Sequence, residues 1–139
     1  MNAMDGTSSS DEHPGPLAQV RRALVVDADA ESRLHTMLTL RMLGISAVPV
    51  ETGGAALEAL ASDDYDLVLV DVALPDMRGT DLVRALRAAG RHESVRVLAH
   101  ANYVMPGDVD RSFDAGCDAF IAHPFAPGAL ERAIAALFT

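Results

Sequence analysis

The chain has one cysteine, Cys117, and no tryptophan. A lone thiol cannot close an internal disulfide, so stability must come from a core, and the usage fits a reducing cytoplasm. Cys117 follows Gly116 at a turn and reads as an inert small residue. No apolar run reaches membrane-spanning length and no stretch resembles a signal peptide, so no membrane partner is expected. Positive charge is scarce: 11 Lys plus Arg stand against 20 Asp plus Glu, a net charge of −9 and a pI near 4.8. That balance leaves nothing to neutralise phosphates and argues against nucleic acid as a partner. Its plain consequence is solubility. There is no internal repeat. No Gly-rich phosphate loop follows the first apolar run, and no nucleophile–base–acid set appears. Nothing therefore supports a small flavin-binding or hydrolytic α/β protein.

What is present is a chain of 139 residues, half of them hydrophobic, enough for one core. Residues 1–20 are rich in Gly, Ser and Pro without apolar period, which predicts a disordered tail and a single domain over 21–139. Ala23-Leu24-Val25-Val26 predicts a buried strand ending at Asp27. Residues 30–43 predict a helix with Leu34, Met37 and Leu38 on its inner face and Gly44 as its stop. Ala47 to Val50 predicts a second strand, at the sheet edge because Pro49 cannot donate to a ladder. A short helix over 54–62 precedes a strand over 66–71. A helix over 79–90 turns Leu82, Val83, Leu86 and Ala89 to one side. A strand over 95–101, a polar helix over 107–115, the strand Ala119-Phe120-Ile121-Ala122 and a helix over 127–138 complete the order. In the last helix Leu130, Ala133, Ile134 and Leu137 face in. This alternation predicts an α/β fold, flavodoxin-like (βα)5: five parallel strands in the order 2-1-3-4-5 with helices on both faces. Ligands then gather at the C-terminal ends of strands 1 and 3.

Asp71 ends the apolar run Leu67-Val68-Leu69-Val70 and is followed by Val72-Ala73-Leu74-Pro75-Asp76-Met77-Arg78-Gly79. Four apolar residues before a turn signal predict a strand buried on both faces. With Val25-Val26-Asp27, the run from Tyr103 to Asp108, Ala115-Gly116-Cys117-Asp118 and His123-Pro124-Phe125, this segment resembles the receiver domain of bacterial response regulators over residues 22–138. Asp71 falls at the phosphoacceptor position.

Receivers use five positions: two adjacent acids after strand 1, the acceptor Asp, a Thr or Ser ending strand 4, and a Lys ending strand 5. Acids hold magnesium, and hydroxyl and ammonium meet the anionic phosphoryl group. The resemblance places Asp27 and Asp71 at the metal position, but the second acid is Ala28, with Asp29 next and aimed elsewhere. The hydroxyl position falls on Ala101, or on His100 if the alignment shifts by one; either way the hydroxyl is gone. The Lys position holds His123, and Phe120 takes the place of the switch aromatic. Magnesium binding is therefore expected to be weakened, since that ion needs oxygen ligands in near-octahedral array.

His123 has alternative readings. It can be a protonatable partner of Asp71 and Asp27 with a raised pKa, or a neutral histidine with no signalling role. A third reading has Asp27, Asp71 and His123 capture a transition metal. His100, in an otherwise apolar strand, is expected as a hydrogen-bonded core histidine; lining the site would strengthen pH sensing or metal binding. The His123-Pro124 peptide is expected to be cis, as in the family. Tyr103 and Met105 belong either to a partner surface or to a half-buried loop.

The resemblance implies a cytoplasmic, non-enzymatic signalling module of two-component phosphorelays, standing alone because no output domain follows. Its partners are a histidine kinase, a phosphotransfer protein or a downstream effector. They meet a surface of helix 4, strand 5 and helix 5, which in family members also makes homodimers. An atypical pseudo-receiver, working with little or no phosphorylation of Asp71, is favoured over a conventional phosphoacceptor.

Overall fold

The computed structural model describes residues 15–90 and 92–139. Five strands, β1 (Arg22–Val26), β2 (Ser46–Val50), β3 (Leu67–Asp71), β4 (Arg96–Ala101) and β5 (Ala119–Ala122), alternate with five helices. These are α1 (Ala30–Met42), α2 (Gly53–Ser62), α3 (Gly79–Ala88), α4 (Asp108–Ala115) and α5 (Pro127–Leu137). All strand pairs are parallel, in the order β2-β1-β3-β4-β5, as the alternation predicts. Pro49 lies on the edge strand, paired with Val25, where its missing N–H leaves the ladder intact.

Both sheet faces are covered, so the central strands are apolar on every residue rather than alternately. One face buries Leu24, Val26, Val68, Val70, Val97 and Ala99 under Ala56, Leu60, Leu82, Val83 and Leu86 of α2 and α3. The other buries Ala23, Val25, Leu67, Leu69 and Leu98 under Leu40, Phe125, Leu130 and Ile134. In α5, Leu130 and Ile134 are buried, with Ala133 and Leu137 packed at their margin.

The inner face of α1 differs from the expected one. Leu34 and Leu38 are 57% and 51% exposed, while Ser32, Thr36, Thr39 and Leu40 are buried. The buried polar residues are cheap to bury where they are paired: the Thr39 hydroxyl donates to the His35 carbonyl at 2.9 Å and Ser32 donates to Asp27. Hydroxyl residues near the site displaced the leucine stripe that periodicity favours. In α3, Ala89 is an exposed cap residue rather than part of the inner side.

The tail also ends earlier than expected. Pro16–Gln19 form a 3-10 turn, Val20 is buried, and Gln19 donates to the Phe138 carbonyl at 2.9 Å. Leu17 and Val20 supply the apolar contacts that dock this segment on the α5 side of the core. The remainder of the expected tail, residues 1–14, lies outside the described residues.

Candidate functional site

Along a strand, alternate side chains share a face. On the α1 and α5 side, Val25, Leu69 and Leu98 are core; two residues further on come Asp27, Asp71 and His100. The period that builds the core thus brings two acids and an imidazole to the C-terminal sheet edge. Asp71 and His100 are direct register partners. All three side chains are buried, and each offers a ligand-type atom within 4.8 Å of the others.

The surroundings occupy part of this set. Asp27 Oδ1 accepts from the Asp29 N–H at 3.0 Å, and Oδ2 accepts a short hydrogen bond from the Ser32 hydroxyl. Asp71 Oδ1 accepts from the Ala73 N–H at 2.9 Å. Asp29 is the N-cap of α1, accepting from the Ser32 N–H at 2.8 Å, which commits it to the helix. Ala28 is exposed and brings no ligand atom. Gly79 closes the loop that follows β3, its N–H donating to the Val72 carbonyl at 2.9 Å. A β-carbon there would collide with the Asp71 carbonyl, so this position needs glycine. The loop's Asp76 accepts from the Gly53 and Gly54 N–H groups, both at 2.9 Å, which ties it to the start of α2 and holds its carboxyl below the usual range.

Burial dominates the electrostatics. It pushes the Asp71 carboxyl from 3.8 up to about 6; the Ala73 N–H opposes the rise, and the facing Asp27 and Asp29 add to it. Burial pushes His100 down to about 4, with Asp27 pulling it back up and His123 pressing it further down. His100 is not the hydrogen-bonded core histidine expected from its apolar strand. Neither ring nitrogen has a hydrogen-bond partner among the described residues, and Nε2 stands 3.9 Å from Asp27 Oδ2. It lines the site instead.

His123 does not play the cationic partner. Its Nε2 lies 3.2 Å from His35 Nδ1, and its ring meets His35 and Phe125 edge to face. Burial and the neighbouring His35 hold its pKa down, outweighing the pull of Asp27 and Asp29, so the raised pKa expected for a stand-in charge is not found. Nor does His123 belong to the cluster of Asp27 and Asp71; His100 takes that place, its ring centroid 6.0 Å from that of His123. The His123–Pro124 peptide is cis. Ala101 is buried at the end of β4, accepting through its carbonyl from the His123 N–H at 2.8 Å, and offers no hydroxyl. Phe120 is half-buried against the α2–α3 side of the core. The sequence contains no lysine at all.

His35 and Ser32 flank the cluster without a motif of their own. Their signal is helical spacing: one turn apart on α1, they share the face that looks along the sheet edge. Outside the site, Tyr103 is 85% exposed, and Val104, Met105, Val109 and Phe113 are also exposed. Tyr103 and Met105 therefore sit on the surface of the β4–α4 region rather than half-buried. Cys117 is free and buried, which pushes its thiol up to about 11 and away from reactivity. No described helix is long and apolar enough to cross a membrane.

Comparison with known proteins follows the same outline. The family model described as the response regulator receiver domain matches residues 23–135. The DNA-binding response regulator MtrA of Mycobacterium leprae is 35% identical over 116 residues, covering 84% of this chain and 50% of that protein. The sensor protein GacS of Pseudomonas syringae pv. syringae is 28% identical over 128 residues, 90% of this chain and 14% of that protein. The chain thus spans about half the length of the MtrA relatives it matches. Among solved structures, the receiver domain of sensor histidine kinase PA1611 from Pseudomonas aeruginosa PAO1 is 25% identical, with a TM-score of 0.79 over 86% of this chain and 98% of that one. That structure holds a magnesium ion coordinated in its active-site cleft. Chemotaxis response regulator CheY4 of Vibrio cholerae, 22% identical, shares the fold with a TM-score of 0.79 over 85% of this chain and 98% of its own. The doubly covered parallel sheet, the acid at the tip of β3 and the family match over most of the chain place this protein in the response regulator receiver domain family.

Proposed function

We propose that this chain is an atypical receiver that signals through protein contacts, with little or no dependence on phosphorylation of Asp71. The carrying observation is that the groups which meet a phosphoryl group are absent. Ala101 has no hydroxyl, His123 is engaged with His35, and there is no lysine. An anionic phosphoryl group at Asp71 would face Asp27 and Asp29 without a compensating cation. Magnesium is also poorly served. Ala28 removes one carboxylate, both Asp27 oxygens already accept hydrogen bonds, and an imidazole stands where that ion needs oxygen.

The contact surface we assign is α4, β5 and α5 with the loop before α4. Exposed Tyr103, Met105, Val109 and Phe113 supply apolar area there, and aromatic and Met side chains are favoured at interfaces. A histidine kinase, a phosphotransfer protein, a downstream effector or a second copy of the chain are the partners this surface suits. The competing reading, a conventional acceptor, is favoured by one observation: Asp71 is intact at the tip of β3.

Intact mass spectrometry after incubation with acetyl phosphate and magnesium separates the two, with Asp71→Asn as control and a complete receiver labelled alongside. No gain in this chain is the expected result. A phosphoryl-sized gain that vanishes in the variant restores the conventional switch.

A further inference from the structure

We propose that Asp27, Asp71 and His100 bind a divalent first-row transition ion of the zinc class in preference to magnesium, with His100 supplying the nitrogen ligand. The observation that carries this is the state of His100. It is fully buried, both ring nitrogens lack partners among the described residues, and it faces two buried carboxylates. A buried imidazole without a hydrogen bond is costly and needs a reason. The separation between His100 Nε2 and Asp27 Oδ2, 3.9 Å, is too long for a hydrogen bond. It lies within the roughly 4.2 Å that an ion can bridge with two bonds of about 2.1 Å.

A proton is the natural rival occupant. Shared between Asp27 and Asp71, it would ease the repulsion of the two acids, yet it would leave His100 as unpartnered as before. An ion engages one ring nitrogen of His100 together with both acids, and Nδ1 stays without a partner among the described residues. The donor types choose its class: one imidazole with carboxylates suits zinc, cobalt or nickel, whereas magnesium prefers oxygen alone and keeps its waters. Supporting groups are in place for the two acids. Ser32 and the Asp29 N–H orient Asp27, and the Ala73 N–H orients Asp71. Three protein ligands leave positions open to water. The cavity lined by Asp29, Ser32, His35, Tyr103 and His123 adjoins the cluster through Ser32 and provides the approach.

This inference is independent of the phosphorylation question. Labelling reads a mass gain at Asp71, whereas ion binding is read as heat, so either result stands without the other. The test is calorimetric titration of zinc and of magnesium into the tag-free full chain after stripping with a chelator. One zinc per chain, bound at least about tenfold more tightly than magnesium, is expected. His100→Gln should weaken zinc by about tenfold or more, whereas the double variant His35→Ala, His123→Ala should change it by less than about threefold. Binding no tighter than magnesium, insensitive to His100→Gln, or lost in the double variant overturns the proposal. Should His100→Gln fail to fold, cobalt broadening of amide resonances in the unsubstituted chain decides. Broadening centred on Asp71 and His100 supports the site; broadening centred on His35 and His123, or elsewhere, removes it.

Discussion

At the residue scale, burial shapes Asp71 more than any neighbour does. Its carboxyl is raised from 3.8 to about 6, so ionising it costs the folded state free energy that the unfolded chain does not lose. The sign follows: the folded state holds the proton more tightly, and stability falls as pH rises from about 3.8 to about 6. Asp71→Asn keeps the oxygen that accepts from Ala73 and removes the charge. In chelator-treated protein it should gain about 2 kcal/mol at pH 7. The gain should shrink to nothing below pH 4, and urea unfolding across that range checks it. An unchanged midpoint at pH 7 would mean that the carboxylate is better solvated than its 6% exposure implies. Asp71 itself was legible from the sequence, as the acid after four apolar residues. The isolation of His100 was not, because sequence position places a side chain on a face without saying what lies opposite.

At the element scale, α1 separates periodicity from packing. Leu34 and Leu38 look like core and are more than half exposed, while Leu40 is buried. Leu40→Ala should therefore cost about 2–5 kcal/mol. Leu34→Ala and Leu38→Ala should each stay within about 0.5 kcal/mol. Thermal unfolding of the three variants tests the orientation; a large loss from Leu34→Ala would rotate the helix. The strands were read correctly because they are short apolar runs bounded by turns. The helix face was misread because α1 buries Ser32, Thr36 and Thr39: Ser32 finds Asp27 only in the folded chain, Thr39 donates back to the His35 carbonyl, and the Thr36 hydroxyl has no partner among the described residues. The 3-10 turn before β1 escaped for a similar reason, since Leu17 and Val20 gain their contacts from α5, over a hundred residues away.

At the scale of the whole molecule, the exposed apolar groups of the β4–α4 region belong to the surface we propose for a partner or a second copy. Tyr103→Ser with Phe113→Ser should leave the unfolding midpoint close to that of the parent chain, because both side chains already face water. The same change should shift self-association toward monomer in sedimentation velocity. A parent chain that sediments as a monomer at every concentration would sink the homodimer and leave the surface to other partners. Long-range contacts hold this architecture together. Arg87 at the end of α3 donates to the Val95 carbonyl at 2.8 Å and the Gly116 carbonyl at 3.1 Å and pairs with Asp118 at 2.9 Å, tying α3 to the approaches of β4 and β5.

The sequence by itself determined the order of the strands, the edge position of Pro49, the placement of Asp27 and Asp71 at one sheet edge, and the complete lack of lysine. Those follow from period, turn chemistry and residue type, which are local. Only the tertiary structure decided that His123 turns to His35, that His100 joins the two acids without a hydrogen bond, and that α1 buries Ser32, Thr36 and Thr39 while leaving Leu34 and Leu38 exposed. Each of these depends on which side chains meet across strands and helices distant in sequence, and burial then sets their charge.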